Sequence, residues 1–205
     1  MSGLKHGILL FTTLCFLAGG LHVVAPDHWV PASILSWQKG WRTGRLAAFS
    51  AVTFGGHIFL GFLIFSVFEN LLGNIPSSDL LIFSFVLVAL VALLRAMRFS
   101  RIREVIRGGA GSIWGAFTVF SLLGPAESMI PILLKAKYIG VGYLLPLAAF
   151  YLGTLVVGLG LIVSGRMVWD RPNLLPRGLY LAQKRVTVLP VLAVMAIGLT
   201  FLLKP

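Results

Sequence analysis

Of 205 residues, 58% are hydrophobic and 11% are charged, with a formal net charge of +11. A soluble domain averages roughly 45–50% apolar and about 25% charged residues, so the composition excludes an ordinary soluble domain and points to a polytopic membrane protein. The single cysteine, Cys15, excludes an internal disulfide and a CxxC thiol pair.

Segments of about 20 apolar residues cross a hydrocarbon core roughly 30 Å thick. Six are predicted here, over approximately 7–37, 46–69, 80–98, 112–134, 142–168 and 186–203, joined by short loops of which 169–185 is the longest. The expected architecture is an all-α integral membrane protein: a single transmembrane domain over 1–205 whose six helices form two inverted three-helix repeats, about 1–107 and about 108–205.

The first segment opens with features of a signal peptide, namely Lys5, an apolar core and the small residues Ala18, Gly19 and Gly20. The apolar run resumes at once, so it is read as part of the first crossing. Its second part, GGLHVVAPDHWVP (19–31), holds His22, Asp27 and His28. A proline inside a helix removes the hydrogen bond to the carbonyl four residues back. Pro26 therefore frees the carbonyl of His22, and Pro31 frees that of Asp27. With the flexible pair Gly19 and Gly20 alongside, the stretch predicts an interrupted crossing, which is tolerated only where it lines a cavity or is buried in protein. The six-residue offset between His22 and His28 is wrong for one helical face and works only because the helix breaks.

The second segment contributes TFGGHIFLG (53–61), with His57 near its middle and Gly55, Gly56 and Gly61 allowing close helix approach. In the fourth, GPAESMIP (124–131) places Pro131 four residues after Glu127, as Pro31 follows Asp27. Three spans per half is an odd number, so the halves enter the membrane from opposite sides. Helices 1 and 4 are thus the expected proline-broken pair, meeting near the midplane; the second and fifth spans share glycine-rich centres.

The positive charge is distributed by loop. Lys39, Arg42 and Arg45 follow the first span; Arg95, Arg98, Arg101, Arg103 and Arg107 the third; Arg166, Arg171, Arg177, Lys184 and Arg185 the fifth. Only Lys5, Lys135, Lys137 and Lys204 remain for the other side, where Glu69 and Asp79 lie in the second loop. By the positive-inside rule these odd-numbered loops are cytoplasmic, both termini face outward, and the chain is expected in the cytoplasmic (inner) membrane. The basic residues are a topology signal rather than a nucleic-acid surface, and the Arg95–Arg107 cluster also suits anionic lipid.

Ionisable residues inside a membrane mark substrate or proton pathways. Three imidazoles, one or two carboxylates and freed carbonyls make an N/O donor set suited to Ni, Co, Zn or Cu(II). The scarcity of thiols disfavours Cu(I) and a closed structural zinc site, and the histidines disfavour a pure Mg or Ca cage. The expected metal residues are His22, Asp27, His28, His57 and Glu127, the last as ligand or proton acceptor. Each has a plainer role to weigh: a cap pair for Asp27 and His28, core packing for His22 and His57, a helix partner for Glu127. His6 is expected to be exposed, Trp29, Trp37, Trp41, Trp114 and Trp169 to form interfacial belts, and Met129 and Met195 to face lipid or pack. The chain has no GxxxxGK[ST] phosphate loop, so ATP dependence would require another subunit.

HVVAPDH (22–28) fits HxxxxDH and resembles the first-span signature of the nickel/cobalt transporter family, and the glycine-histidine of GGHIFLG resembles that family's second histidine motif. The proline before the acid, and the proline, glutamate and proline of GPAESMIP, are closest to the short urease-associated nickel permeases and sulfite-exporter-like members of the lysine-exporter superfamily. The resemblance implies a secondary transporter rather than an enzyme. It would move Ni²⁺ or Co²⁺ as substrate and hold no resident cofactor. His22, Asp27, His28 and His57 would be its selectivity and transport residues, and Glu127 the matching acid of the second half. A homo-oligomer or a partner in a metal-uptake complex fits this class. The alternative is a sulfite-exporter-like carrier of a small anion or amino acid, for which three buried histidines with Asp and Glu make a poor cage. A membrane metalloenzyme would use the same cluster with water in an open position.

Overall fold

The computed structural model describes residues 2–24, 26–72, 79, 82, 86 and 128–169. Most of the expected third span, all of the sixth, and the loop cations Arg95–Arg107 and Arg171–Arg185 lie outside the described residues. Five helices are named in chain order: α1 (Ser2–Val23), α2 (Pro26–Gln38), α3 (Thr43–Leu72), α4 (Met129–Tyr138) and α5 (Leu144–Trp169). Among the described residues no strand occurs.

Three of these helices carry stretches long and apolar enough to cross a membrane: His6–Val23 in α1, Thr43–Val67 in α3 and Leu144–Met167 in α5. At 13 and 10 residues, α2 and α4 fall short of the roughly 20 needed. The outer surface agrees with immersion in lipid, because Leu9, Leu10 and Leu17 of α1, Val52, Phe59 and Val67 of α3, and Leu152 and Val156 of α5 are all exposed. In water such a surface would be an aggregation hazard.

The first crossing is interrupted once. α1 ends at Val23 and α2 begins at Pro26, so Pro26 occupies the first helical position, where its missing N–H is least costly. The second expected break does not occur, since α2 continues through Pro31 to Gln38. Pro131 likewise lies in the first turn of α4, where a proline is tolerated. Nor are Gly19 and Gly20 a hinge: both lie within α1.

Those glycines are packing contacts. A Cβ built on Gly19 would fall onto the Phe150 carbonyl of α5, and one on Gly153 of α5 would fall onto the Phe16 carbonyl of α1. Backbone therefore meets backbone at this crossing, as small residues permit in membranes. Thr154 Oγ1 donates across it to the Gly19 carbonyl at 3.2 Å while also reaching the Phe150 carbonyl at 2.9 Å. α5 packs against each of the other four helices, most extensively against α1.

The turns that follow α2 and α4 are alike. After α2, Gly40 (φ 58°) donates to the Trp37 carbonyl and Trp41 to that of Ser36; after α4, Gly140 (φ 70°) donates to Lys137 and Val141 to Ala136. Both are Schellman closures, which need a residue in the left-handed region. Polar ties hold the helix ends nearby. Arg166 of α5 donates to the Trp41 carbonyl in the α2–α3 turn. Glu69 of α3, two residues past that helix's apolar stretch, lies 2.7 Å from Lys137 Nζ and accepts from Tyr143 at 2.9 Å. Burial raises the Glu69 pKa, but the Lys137 and Tyr143 bonds and the Lys137 charge outweigh it and hold the carboxyl below its ordinary 4.5.

Two outcomes follow for stability. Gly153→Ala must push two backbones apart and is expected to cost about 1–3 kcal/mol, whereas Gly160→Ala, with open space around it, should leave the melting temperature in detergent unchanged or higher. Equal effects of the two would refute the close crossing. A depressed carboxylate stabilises above its unfolded pKa and loses that contribution as pH falls below it. Glu69→Gln should therefore melt slightly below wild type at pH 6, and the gap should narrow as pH falls below 4.5 and through the depressed carboxyl pKa; a gap independent of pH would count against the tie.

Candidate metal centre

His22, His28 and His57 come from three helices. His22 lies in the last turn of α1, His28 in the first turn of α2, and His57 mid-way along α3. The break brings the first two together, because a helix that stops at Val23 and restarts at Pro26 need not keep the rotation of a continuous one. Trp29 closes this junction by donating its indole Nε1–H to the Val24 carbonyl at 3.2 Å, a group that α1 can no longer satisfy.

One ligand atom from each of the three histidines lies within 4.8 Å of the others. The His22 and His28 rings stand edge-on with centroids 4.4 Å apart, His28 and His57 edge-on at 5.3 Å, and His22 and His57 nearly parallel at 5.6 Å. Nε2 of His22 is hydrogen-bonded to Nε2 of His57 at 3.3 Å. Two nitrogens bound tetrahedrally at about 2.1 Å from one ion are about 3.4 Å apart, so the same spacing would also suit ligands of a shared cation. His57 is fully buried, and His22 and His28 are nearly so.

The surroundings are apolar. Ala18, Ile58, Met129, Leu133 and Phe150 belong to one buried cluster; Val23, Leu35, Leu46, Phe54 and Ile162 belong to another. His22 stands in sequence between Ala18 and Val23, and His57 between Phe54 and Ile58, so both sit at the seam of the two clusters. The neutral form of imidazole is the one that ligates a metal ion. His22 also lies at the C-terminal end of α1, where the helix dipole favours a cation.

Of the expected site residues, His22, His28 and His57 are brought together. Glu127 lies outside the described residues, as does the side chain of Asp27, whose backbone is the second residue of α2. His6 is exposed. Met129 is fully buried, Trp37 is exposed, and Trp41 is buried against the protein in the α2–α3 turn. Trp29 packs close to Gly165; Trp114 and Met195 lie outside the described residues.

Ser128 was not anticipated. Its hydroxyl lies 2.9 Å from Nδ1 of His22, across 106 positions of sequence. The signal available was the alignment of the two acid-proline segments, which sets Ser128 opposite His28 when Glu127 is set opposite Asp27. Compared with known protein families, curated sequences and solved structures, the chain finds no match in any of the three.

Proposed function

We propose that this chain is a secondary transporter that moves a divalent transition-metal ion, Ni²⁺ or Co²⁺, across a membrane through the three-histidine site at the break in its first crossing. The observation that carries this is the convergence of His22, His28 and His57, all buried, from three helices within the apolar body of a membrane-embedded chain. Histidines placed so deep are costly unless they bind something, and imidazole nitrogen suits these ions. The HxxxxDH and GGH motifs that resemble the nickel/cobalt transporter family supply two of these histidines and the third, respectively. Asp27 and Glu127 are proposed as the acids that balance the ion's charge.

The proposal extends to the rest of the architecture: six spans in two inverted three-helix repeats, in the cytoplasmic membrane, with both termini outside. In its favour, α2 with its closing turn and α3 correspond to α4 with its closing turn and α5, Gly40 to Gly140 and Pro31 to Pro131. Alternating access then follows as rocking of the two halves about the site. Histidine must be deprotonated to bind, so arrival of the ion displaces protons and release is aided by their return.

The test is uptake of Ni²⁺, Co²⁺ and Zn²⁺, with sulfite as control, into proteoliposomes. Wild type should move Ni²⁺ or Co²⁺, and His57→Ala and His28→Ala should each lower the rate by more than about tenfold, since even an outer-shell partner of a ligand is worth about 10- to 100-fold. Sulfite flux that survives both substitutions, with no metal flux, would replace the metal carrier with an anion carrier.

A further inference from the structure

Resting on the metal-transport proposal above, we propose that Ser128 is a positioning residue of the metal site, holding the His22 ring in the orientation that presents Nε2 to the ion. Serine immediately before a helix ordinarily turns its hydroxyl back onto the second or third amide of that helix, a bond worth about 1 kcal/mol. Ser128 holds this position before α4 and makes no such bond. Its Oγ instead reaches Nδ1 of His22 at 2.9 Å, with the residue buried. The Ser128 backbone is helical (φ −62°, ψ −17°) rather than in the extended geometry of a cap, so no capping bond competes with the distant one.

The chemistry of imidazole says what the distant bond does. One nitrogen of a neutral ring carries the proton and the other a lone pair. Nε2 of His22 is the atom directed at His57, so a His22 that ligates through Nε2 keeps its proton on Nδ1. Ser128 Oγ is placed to accept a hydrogen bond from that Nδ1–H, as the outer partners of ligating histidines do. Without it the ring would lose a bond that holds its orientation.

The element that carries Ser128 gives the bond a second consequence. α4 packs against α3 and α5, and its Met129, Ile130, Leu133 and Leu134 share a buried cluster with Ala18 of α1 and Phe150 of α5. Through Ser128 the seat of α4 is read directly at His22. Ser128 also corresponds to His28 at the same spacing that relates Gly140 to Gly40. The second half thus supplies a hydroxyl partner where the first supplies an imidazole.

The test uses the purified full chain in detergent, titrated with Co²⁺ and followed by visible absorption and calorimetry, with metal-free melting temperatures measured in parallel. Ser128→Ala should weaken Co²⁺ binding by about 10- to 100-fold and lower the metal-free melting temperature only slightly, by too little to account for the lost affinity, while Ser128→Thr, which keeps the hydroxyl, should restore most of the affinity. Ser128→Ala binding as tightly as wild type, with His57→Ala binding much more weakly, overturns the role of Ser128 and leaves the metal site standing. A drop in melting temperature that accounts for the lost affinity, with no recovery in Ser128→Thr, makes Ser128 a packing residue and overturns the proposal equally. Absence of Co²⁺ binding by wild type, or unaltered binding by His57→Ala, overturns the metal site and the role of Ser128 together.

Discussion

A helix that stops inside an apolar body leaves backbone groups that no solvent can reach. Everything distinctive in this protein depends on how that debt is settled between Val23 and Pro26. Val24 N–H turns back to the Leu21 carbonyl at 3.2 Å. The Val24 carbonyl receives the Trp29 indole from the next helix, and Pro26 has no N–H to satisfy. The two helix ends are thereby held close together, and the His22 and His28 rings meet at 4.4 Å. On a continuous helix, six residues would rotate these rings to about 120° apart and separate them by about 9 Å along the axis. The break therefore creates the site rather than merely permitting it.

α5 supplies no histidine, yet it sets where the histidines stand. Along it, Gly153 receives the backbone of α1, Gly158 receives the ring of Phe54 from α3, and Gly165 receives Trp29 of α2; a Cβ at Gly158 or Gly165 would come within 2.7 or 2.8 Å of those rings. Phe54 lies one turn before His57, and Trp29 directly follows His28. Each histidine-bearing helix is thus seated on α5 by a contact within about one turn of its histidine. Interiors packed this closely transmit displacement rather than absorb it, so the spacing of three imidazoles can be maintained by a helix that touches the ion nowhere.

The residues that were legible in the sequence are those whose chemistry is wrong for their surroundings. His22, His28 and His57 stand out because ionisable side chains in an apolar run are rare and costly, and Pro26 marks the break because a proline cannot receive a helix from its N-terminal side. The rest depended on partners far along the chain. Gly19 and Gly20 read equally well as a hinge or as a close contact, and Gly153 and Phe150, which decide between the two, lie more than 100 positions away. Pro31 looked like a second break, but α2 is held by its packing on α5 and continues through it. That Trp41 packs beside Leu35 and Leu46 could not be read from its place at a span end, because the α2–α3 turn decides which way it faces. Ser128 carried no signal of its own, since a serine before a helix has an ordinary explanation in capping.

On the transport proposal, the way the three histidines are shared among helices also bears on release. His22 and His28 flank a junction only two residues long that the Trp29 indole ties shut, so these two rings stay together through any motion that keeps the junction. His57 is different. Its helix packs mainly on α5 and α4 rather than on α1 or α2, and is tied at its end to the α4–α5 turn through Glu69 and along its length to α5 through the hydroxyl of Tyr151, which donates to the Ala51 carbonyl at 3.1 Å. The ligand set is therefore split two against one, with the 3.3 Å approach of His22 to His57 across the split. On the transport proposal, a displacement of α3 that opened this one distance would remove a ligand from the ion while leaving the junction intact. A carrier needs such a line of weakness, because a set of imidazoles locked on one rigid element would bind according to the intrinsic order of the divalent ions and would have no mechanical means of letting go.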